Sequence, residues 1–227
     1  MNRSTIPDRA QREVELVESA LDRMREAPAT PIPLAFATPD VTEDDIAAVT
    51  KVLRSGWLTT GEESHALEAE LAAYLGAAHV VAVSSCTAAL EIALRCLDLQ
   101  PGARVGVPAW TFVATATAAV HTGAQPVILD VEQDTLNLSA VALEAALEAG
   151  LDAVVPVHFG GVPVDRTIHD LCAAYGVPVV EDAAHALGAR DERGMLRGAG
   201  SVAACLSFYA TKNLTCGEGG ALVTDRV

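Results

Sequence analysis

From residue 40 onward, the apolar positions of the chain switch repeatedly between two spacings. Segments at about 42–54, 62–75, 87–97, 112–122, 139–149 and 165–175 have the helical pattern. Between them lie short β-branched runs at His79–Val83, Arg104–Val107, Pro126–Asp130, Ala153–Val157, Val177–Glu181 and Val202–Phe208. Short apolar strands that alternate with helices predict an α/β fold of three layers, α/β/α, with a mainly parallel sheet covered on both faces. A seventh run, Ala221–Thr224, follows the turn Gly217-Glu218-Gly219-Gly220 with no room for a crossover helix. It predicts one antiparallel strand in a seven-stranded sheet. Ahead of this pattern, residues 8–26 place Val14, Leu16, Val17, Ala20, Leu21 and Met24 at helical spacing, and a Pro-rich run over 27–33 ends it. Residues 1–33 therefore read as an appended helix and linker, packed on a partner subunit or simply a frayed leader. Residues 34–227 read as the main domain.

Composition narrows the class. Hydrophobic residues make up 51% of the 227, enough for a sizeable core, while aromatics are only 4%, so Ala, Val and Leu must build it. Fifteen basic against thirty acidic residues give a formal charge of -15. That balance disfavours nucleic acid and anionic lipid as partners. The five cysteines are spread singly, with no CxxC spacing, which predicts neither a zinc site nor a disulfide framework and fits a reducing cytoplasm. The first twenty residues have no apolar signal core, and no stretch reaches the length of a membrane helix.

In open parallel sheets ligands bind beyond the carboxyl ends of the strands, and four polar segments fall there. At Ser84-Ser85-Cys86-Thr87-Ala88 small residues open a helix, which suits either an anion such as phosphate or an ordinary helix cap by Ser85 or Thr87. At Glu181-Asp182-Ala183-Ala184-His185 a strand delivers a carboxylate that needs a cationic or hydrogen-bonding partner, a heterocyclic nitrogen or an Arg. In the loop from Ser207 through Lys212 to Gly220, a lysine stands among small residues with few other charges, a setting for an amine nucleophile or for a solvated loop charge. Trp110 and Phe112 form an aromatic pair that can stack on a planar ligand or pack in the core. The histidines lack metal-ligand spacing, and there is no nucleophile elbow and no dinucleotide or P-loop glycine pattern.

In this order, over about 38–224, these segments resemble the DegT/DnrJ/StrS-type sugar aminotransferases, pyridoxal-phosphate proteins on the fold-type I scaffold. Ser55-Gly56-Trp57-Leu58-Thr59-Thr60-Gly61, Pro156-Val157-His158-Phe159-Gly160-Gly161 and Ser207-Phe208-Tyr209-Ala210-Thr211-Lys212-Asn213-Leu214-Thr215-Cys216-Gly217 add to the likeness. The resemblance implies that Lys212 holds pyridoxal 5'-phosphate covalently and shuttles the proton, and that Asp182 pairs with the pyridine nitrogen. It implies that Phe112 stacks on the ring and that His185 lies near its 3-oxygen. Thr87, the backbone of Cys86 and Ala88, and Ser207 then bind the phosphate. It further implies transfer of an amino group from glutamate to a keto nucleotide sugar, in amino-sugar biosynthesis for a cell-surface polysaccharide or secondary metabolite, by a homodimer. Such proteins usually continue into a small C-terminal domain, so the expectation is that this chain lacks it. Two rival expectations remain: a non-catalytic remnant or scaffold of the same fold, and a pyridoxal-phosphate sugar dehydratase, which carries His where this chain has Lys212.

Overall fold

The computed structural model describes residues 18–19, 37–191, 194–195 and 201–226. The chain divides into two units, 1–36 and 37–227. The expected appended helix and linker lie outside the described residues, apart from Glu18 and Ser19, which are helical.

Helix α1 (Glu43–Ser55) starts at a capping box: Thr42 Oγ1 accepts from the Asp45 N–H, and Asp45 Oδ2 accepts from the Thr42 N–H at 2.7 Å. Helix α2 (Glu62–Leu75) leads into β1 (His79–Val83), and α3 (Cys86–Arg95) follows at once. Then come β2 (Arg104–Pro108), α4 (Ala114–His121), β3 (Gln125–Leu129), α5 (Ala140–Glu148) and β4 (Ala153–Val154). A 3-10 turn (Phe159–Gly161), α6 (Arg166–Tyr175) and β5 (Val180–Asp182) come next. A small antiparallel hairpin follows, β6 (Arg190–Asp191) with β7 (Gly194–Met195), before β8 (Ala203–Ser207) and β9 (Gly220–Thr224).

Two ladders, β1-β9-β8-β5 and β3-β2-β4, meet through parallel bridges Val154–Val179 and Val157–Asp182. The join is hydrogen-bonded: the Asp182 N–H donates to the Pro156 carbonyl at 2.9 Å and the His158 N–H to the Asp182 carbonyl at 3.1 Å. The order is therefore β1-β9-β8-β5-β4-β2-β3. All neighbours are parallel except β9, which runs antiparallel to both β1 and β8. This is the expected seven-stranded sheet with one reversed strand; the β6–β7 hairpin was not foreseen.

Strand alternation assigns the layers. Along β8, Ala203 and Cys205 pack with Ala89, Leu90, Ala93 and Leu94 of α3, while Ala204 and Leu206 pack with Leu71 and Leu75 of α2. Leu143, Leu147, Ile168 and Cys172 of α5 and α6 cover Val154 and Val179 on the same side as α2. Burial on both faces explains why β5 and β8 read as uninterrupted apolar runs, and why Glu181 and Asp182 at the end of β5 are themselves buried.

Candidate active site

The carboxyl ends of β1, β2, β5 and β8 surround one cavity of about 340 Å³, at the lower end of the range for small-molecule sites. Lys212, Asp182, His185, Phe112, Cys86, Thr87 and Ser207 all line it; Ala88 does not. Thr111, Phe159, Tyr209, Thr211 and Glu218 line it too, residues to which sequence reading assigned no individual role. Phe159 was legible only as part of the Pro156–Gly161 segment. A wider, open hollow of about 1140 Å³ adjoins at Glu218, walled by Lys51, Trp57 and Thr60. The smaller cavity holds the buried carboxylate and the lysine, which makes it the candidate site.

Asp182 is 5% exposed. Its Oδ2 accepts from Thr115 Oγ1 at 2.8 Å and its Oδ1 from the Ala184 N–H at 3.1 Å, with Cys86 Sγ at 3.9 Å. Among the described residues none of these donors is a cation, so the structural Arg that sequence left open does not appear. A buried carboxylate held only by neutral donors suits a cationic ring N–H brought in by a ligand.

Ser85 caps α3: its Oγ accepts from the Ala88 N–H at 3.1 Å. That engages one of the backbone groups expected at the phosphate and leaves the N–H groups of Cys86 and Thr87, which have no partner within the helix. The cap therefore leaves room at this helix end for an anion to accept from those two N–H groups. Gly220 makes this possible, because a Cβ there would stand 2.5 Å from Cys86 N and closer still to the Ser85 carbonyl carbon. Burial, and then the charge of Asp182, push the Cys86 thiol well above its ordinary pKa, so it stays protonated and donates to the Cys205 carbonyl at 3.3 Å.

Lys212 is half-buried in a loop closed between β8 and β9. Its own N–H donates to the Tyr209 carbonyl at 2.9 Å, Thr215 Oγ1 to the Phe208 carbonyl at 3.0 Å, and Asn213 Nδ2 to the Leu187 carbonyl at 2.6 Å. Phe112 is 77% exposed, which rules out core packing and leaves its ring for a ligand; Trp110 instead meets Phe159 edge-on at 6.1 Å. His185 also meets Phe159 edge-on, at 5.8 Å, and its Nδ1 accepts from the Gly160 N–H at 3.2 Å. Partial burial, and next the Lys212 charge, lower its pKa against the pull of Asp182. The neutral ring thus carries its proton on Nε2, the nitrogen free to donate to a ligand oxygen.

On the opposite face of β5, Glu181 is 1% exposed and pairs with two histidines: Oε2 with His158 Nε2 at 3.3 Å and Oε1 with His169 Nε2 at 2.7 Å. His158 Nδ1 accepts from the Val164 N–H at 3.1 Å, which fixes its proton on Nε2. This cluster braces β5 against the 158–169 segment, which carries Phe159 into the cavity.

A helix end with free N–H groups, a buried carboxylate with neutral donors, an exposed aromatic ring and a lysine lie around one cavity of an α/β protein. The chain belongs to the DegT/DnrJ/EryC1/StrS aminotransferase family, whose model matches residues 39–226. It is 46% identical over 193 residues to the spore coat polysaccharide biosynthesis protein SpsC of Bacillus subtilis (strain 168), covering 85% of this chain and 49% of that protein. Spr1654 of Streptococcus pneumoniae, assigned as a sugar aminotransferase and solved in its PLP-form, superposes with a TM-score of 0.80 at 33% identity, covering 86% of this chain and 54% of its own. Helicobacter pylori PseC, an aminotransferase involved in the biosynthesis of pseudoaminic acid, gives 0.80 at 29% identity, covering 86% and 53%. The chain spans about half the length of these relatives. Among the described residues no helix is long and apolar enough to cross a membrane, and no cluster of His, Cys, Asp and Glu is arranged to hold a metal.

Proposed function

We propose that this chain provides the pyridoxal-phosphate site of an aminotransferase that moves an amino group from glutamate to a keto nucleotide sugar, acting as a homodimer in the cytoplasm. One observation carries the reading: Lys212 and Asp182 line the same cavity, with the open end of α3 between the strands beside them. The residues fit the group. The N–H groups of Cys86 and Thr87 with Ser207 hold the phosphate, Asp182 takes the ring N–H, Phe112 covers the ring face, and His185 Nε2 donates to the ring oxygen. Bound there, pyridoxal phosphate supplies an electrophilic carbonyl and an electron-withdrawing ring. Lys212 Nζ would hold it covalently and, as a free amine, would carry the proton between the substrate carbon and the carbonyl carbon of the cofactor. Asp182, by keeping the ring nitrogen protonated, makes the ring a stronger electron sink. The lysine at 212 argues against the sugar dehydratases of this scaffold.

The test is amino transfer: ¹⁵N-glutamate with a panel of 3-keto and 4-keto nucleotide sugars is expected to place the label on a sugar, with ping-pong kinetics. Failure with every keto sugar, in protein that binds the cofactor, favours the scaffold reading. A second expectation concerns the phosphate end. Gly220→Ala forces a methyl group into the Ser85–Cys86 backbone. Overpacking of this kind costs about 1–3 kcal/mol, so pyridoxal phosphate should bind about tenfold more weakly. Binding of unphosphorylated pyridoxal, which does not use the helix end, should change far less. Equal losses for both ligands, measured by equilibrium dialysis, contradict the assignment of α3 to the phosphate.

A further inference from the structure

Two threonine hydroxyls stand in line behind Asp182. Thr115 is 0% exposed on α4. Its Oγ1 lies 2.8 Å from Asp182 Oδ2, 2.6 Å from Thr111 Oγ1 and 3.2 Å from the Phe112 carbonyl oxygen. A hydroxyl has one proton to give. The carbonyl three residues back is the ordinary target of a helical threonine, but an ionised carboxylate at the shorter distance is the stronger acceptor. Thr115 therefore donates to Asp182. The 2.6 Å contact then requires Thr111 to donate to Thr115, so the donors run one way, from Thr111 on the cavity wall through Thr115 to Asp182. At the other oxygen the Ala184 N–H donates to Oδ1 at 3.1 Å, with the Cys86 thiol no closer than 3.9 Å. Oδ2 has two lone pairs, and Thr115 takes one.

We propose that Thr115, oriented by Thr111, is a positioning residue that fixes the plane of the Asp182 carboxylate, so that the second lone pair of Oδ2 is aimed at the ring N–H of the cofactor. The proposal rests on the reading that Asp182 pairs with that nitrogen. Without the Thr115 hydroxyl, the Ala184 N–H alone holds the group firmly, and the carboxylate can turn about its Cβ–Cγ bond. Neither threonine touches the cofactor through this arrangement; each acts through Asp182.

Three variants separate orientation from packing. Thr115→Val keeps the branched shape and removes the donor, Thr115→Ser keeps the donor and removes the methyl group, and Thr111→Val removes only the outer donor. In the native protein, Thr115→Val is expected to weaken pyridoxal phosphate binding about tenfold, the effect of one hydrogen bond to a charged group. Thr115→Ser should stay within about twofold of the wild type and Thr111→Val should fall between. A second readout needs no cofactor. The ¹³C-carboxyl signal of Asp182, assigned by its loss in Asp182→Asn, should move in cofactor-free Thr115→Val, move less in Thr111→Val, and return in Thr115→Ser. The proposal is overturned if Thr115→Val leaves both affinity and carboxyl signal at wild-type values. It is overturned equally if Thr115→Ser is as impaired as Thr115→Val, which would make the methyl group's packing the role of this residue. Wild-type protein that does not bind pyridoxal phosphate at all removes the cofactor reading itself. Normal binding with an unmoved carboxyl signal removes only the positioning role.

Discussion

Lys212→Ala is expected to fold and to retain reversible affinity for pyridoxal phosphate, but to lose covalent attachment and to transfer amino groups on the order of a thousandfold more slowly or worse. Folding should survive because the loop is held by groups other than the Lys212 amine: Thr215 to the Phe208 carbonyl, Asn213 to the Leu187 carbonyl, and the Phe208 N–H to the Gly219 carbonyl. Reversible affinity should survive because the helix end, Asp182 and Phe112 are untouched. What disappears is the only amine among the residues that line the cavity. Lys212→Arg should fail as completely, since a guanidinium remains protonated and cannot attack a carbonyl. The measurement is the absorbance of the bound cofactor alongside the rate of ¹⁵N transfer. Substantial transfer by Lys212→Ala would falsify the role given to this amine.

The second large effect falls on stability. Burial alone would raise the pKa of Glu181, but hydrogen bonds from His158 and His169 outweigh it and hold the carboxyl at about 2, against an ordinary value of 4.5. A carboxyl depressed in the folded state contributes stability that is complete above its unfolded value and is lost as pH falls towards the folded one. The window for Glu181 therefore lies between about 4.5 and about 2, and the contribution is of the order of 3 kcal/mol. Glu181→Ala should cost roughly 3–5 kcal/mol at neutral pH, because two buried imidazoles lose their shared acceptor. In a domain of this size that lowers the melting temperature by roughly 10 °C. Glu181→Gln keeps one acceptor for His158 and should be milder at neutral pH, but it should lose the Glu181 share of the acid limb. Urea unfolding between pH 7 and pH 3 makes the comparison; a Glu181→Gln protein with an unchanged acid limb contradicts the assignment.

The two residues at the end of β5 show what was legible in the sequence. Asp182 stood out because it ends an apolar run, where ligands of parallel sheets bind, and because small residues follow it. Glu181, one position earlier, carries as much buried charge but gave no signal, since its partners are 23 and 12 residues away and its face of the strand is decided only by the pleat. Thr115 was hidden for a similar reason: a threonine in an Ala-rich helix that also holds Thr117 has no pattern of its own, and its meaning comes from Asp182, 67 residues later. The long elements were legible. Helix α2 and strand β1 fall on their expected ranges because each is an uninterrupted pattern bounded by Gly61 and Gly76 or by polar residues. The hairpin β6–β7 was not, because strands of two residues have no period to detect. The join of β4 to β5 survives as isolated bridges, so the Ala153–Val157 run is paired over a greater length than its regular strand shows.

The central claim is that one amine in one cavity captures the cofactor. Incubating the chain with pyridoxal phosphate, reducing with borohydride and mapping the peptides by mass spectrometry tests it directly. The expected result is a single phosphopyridoxyl group on Lys212, absent when Lys212 is replaced. A label on another lysine, or none at all under saturating cofactor, contradicts it.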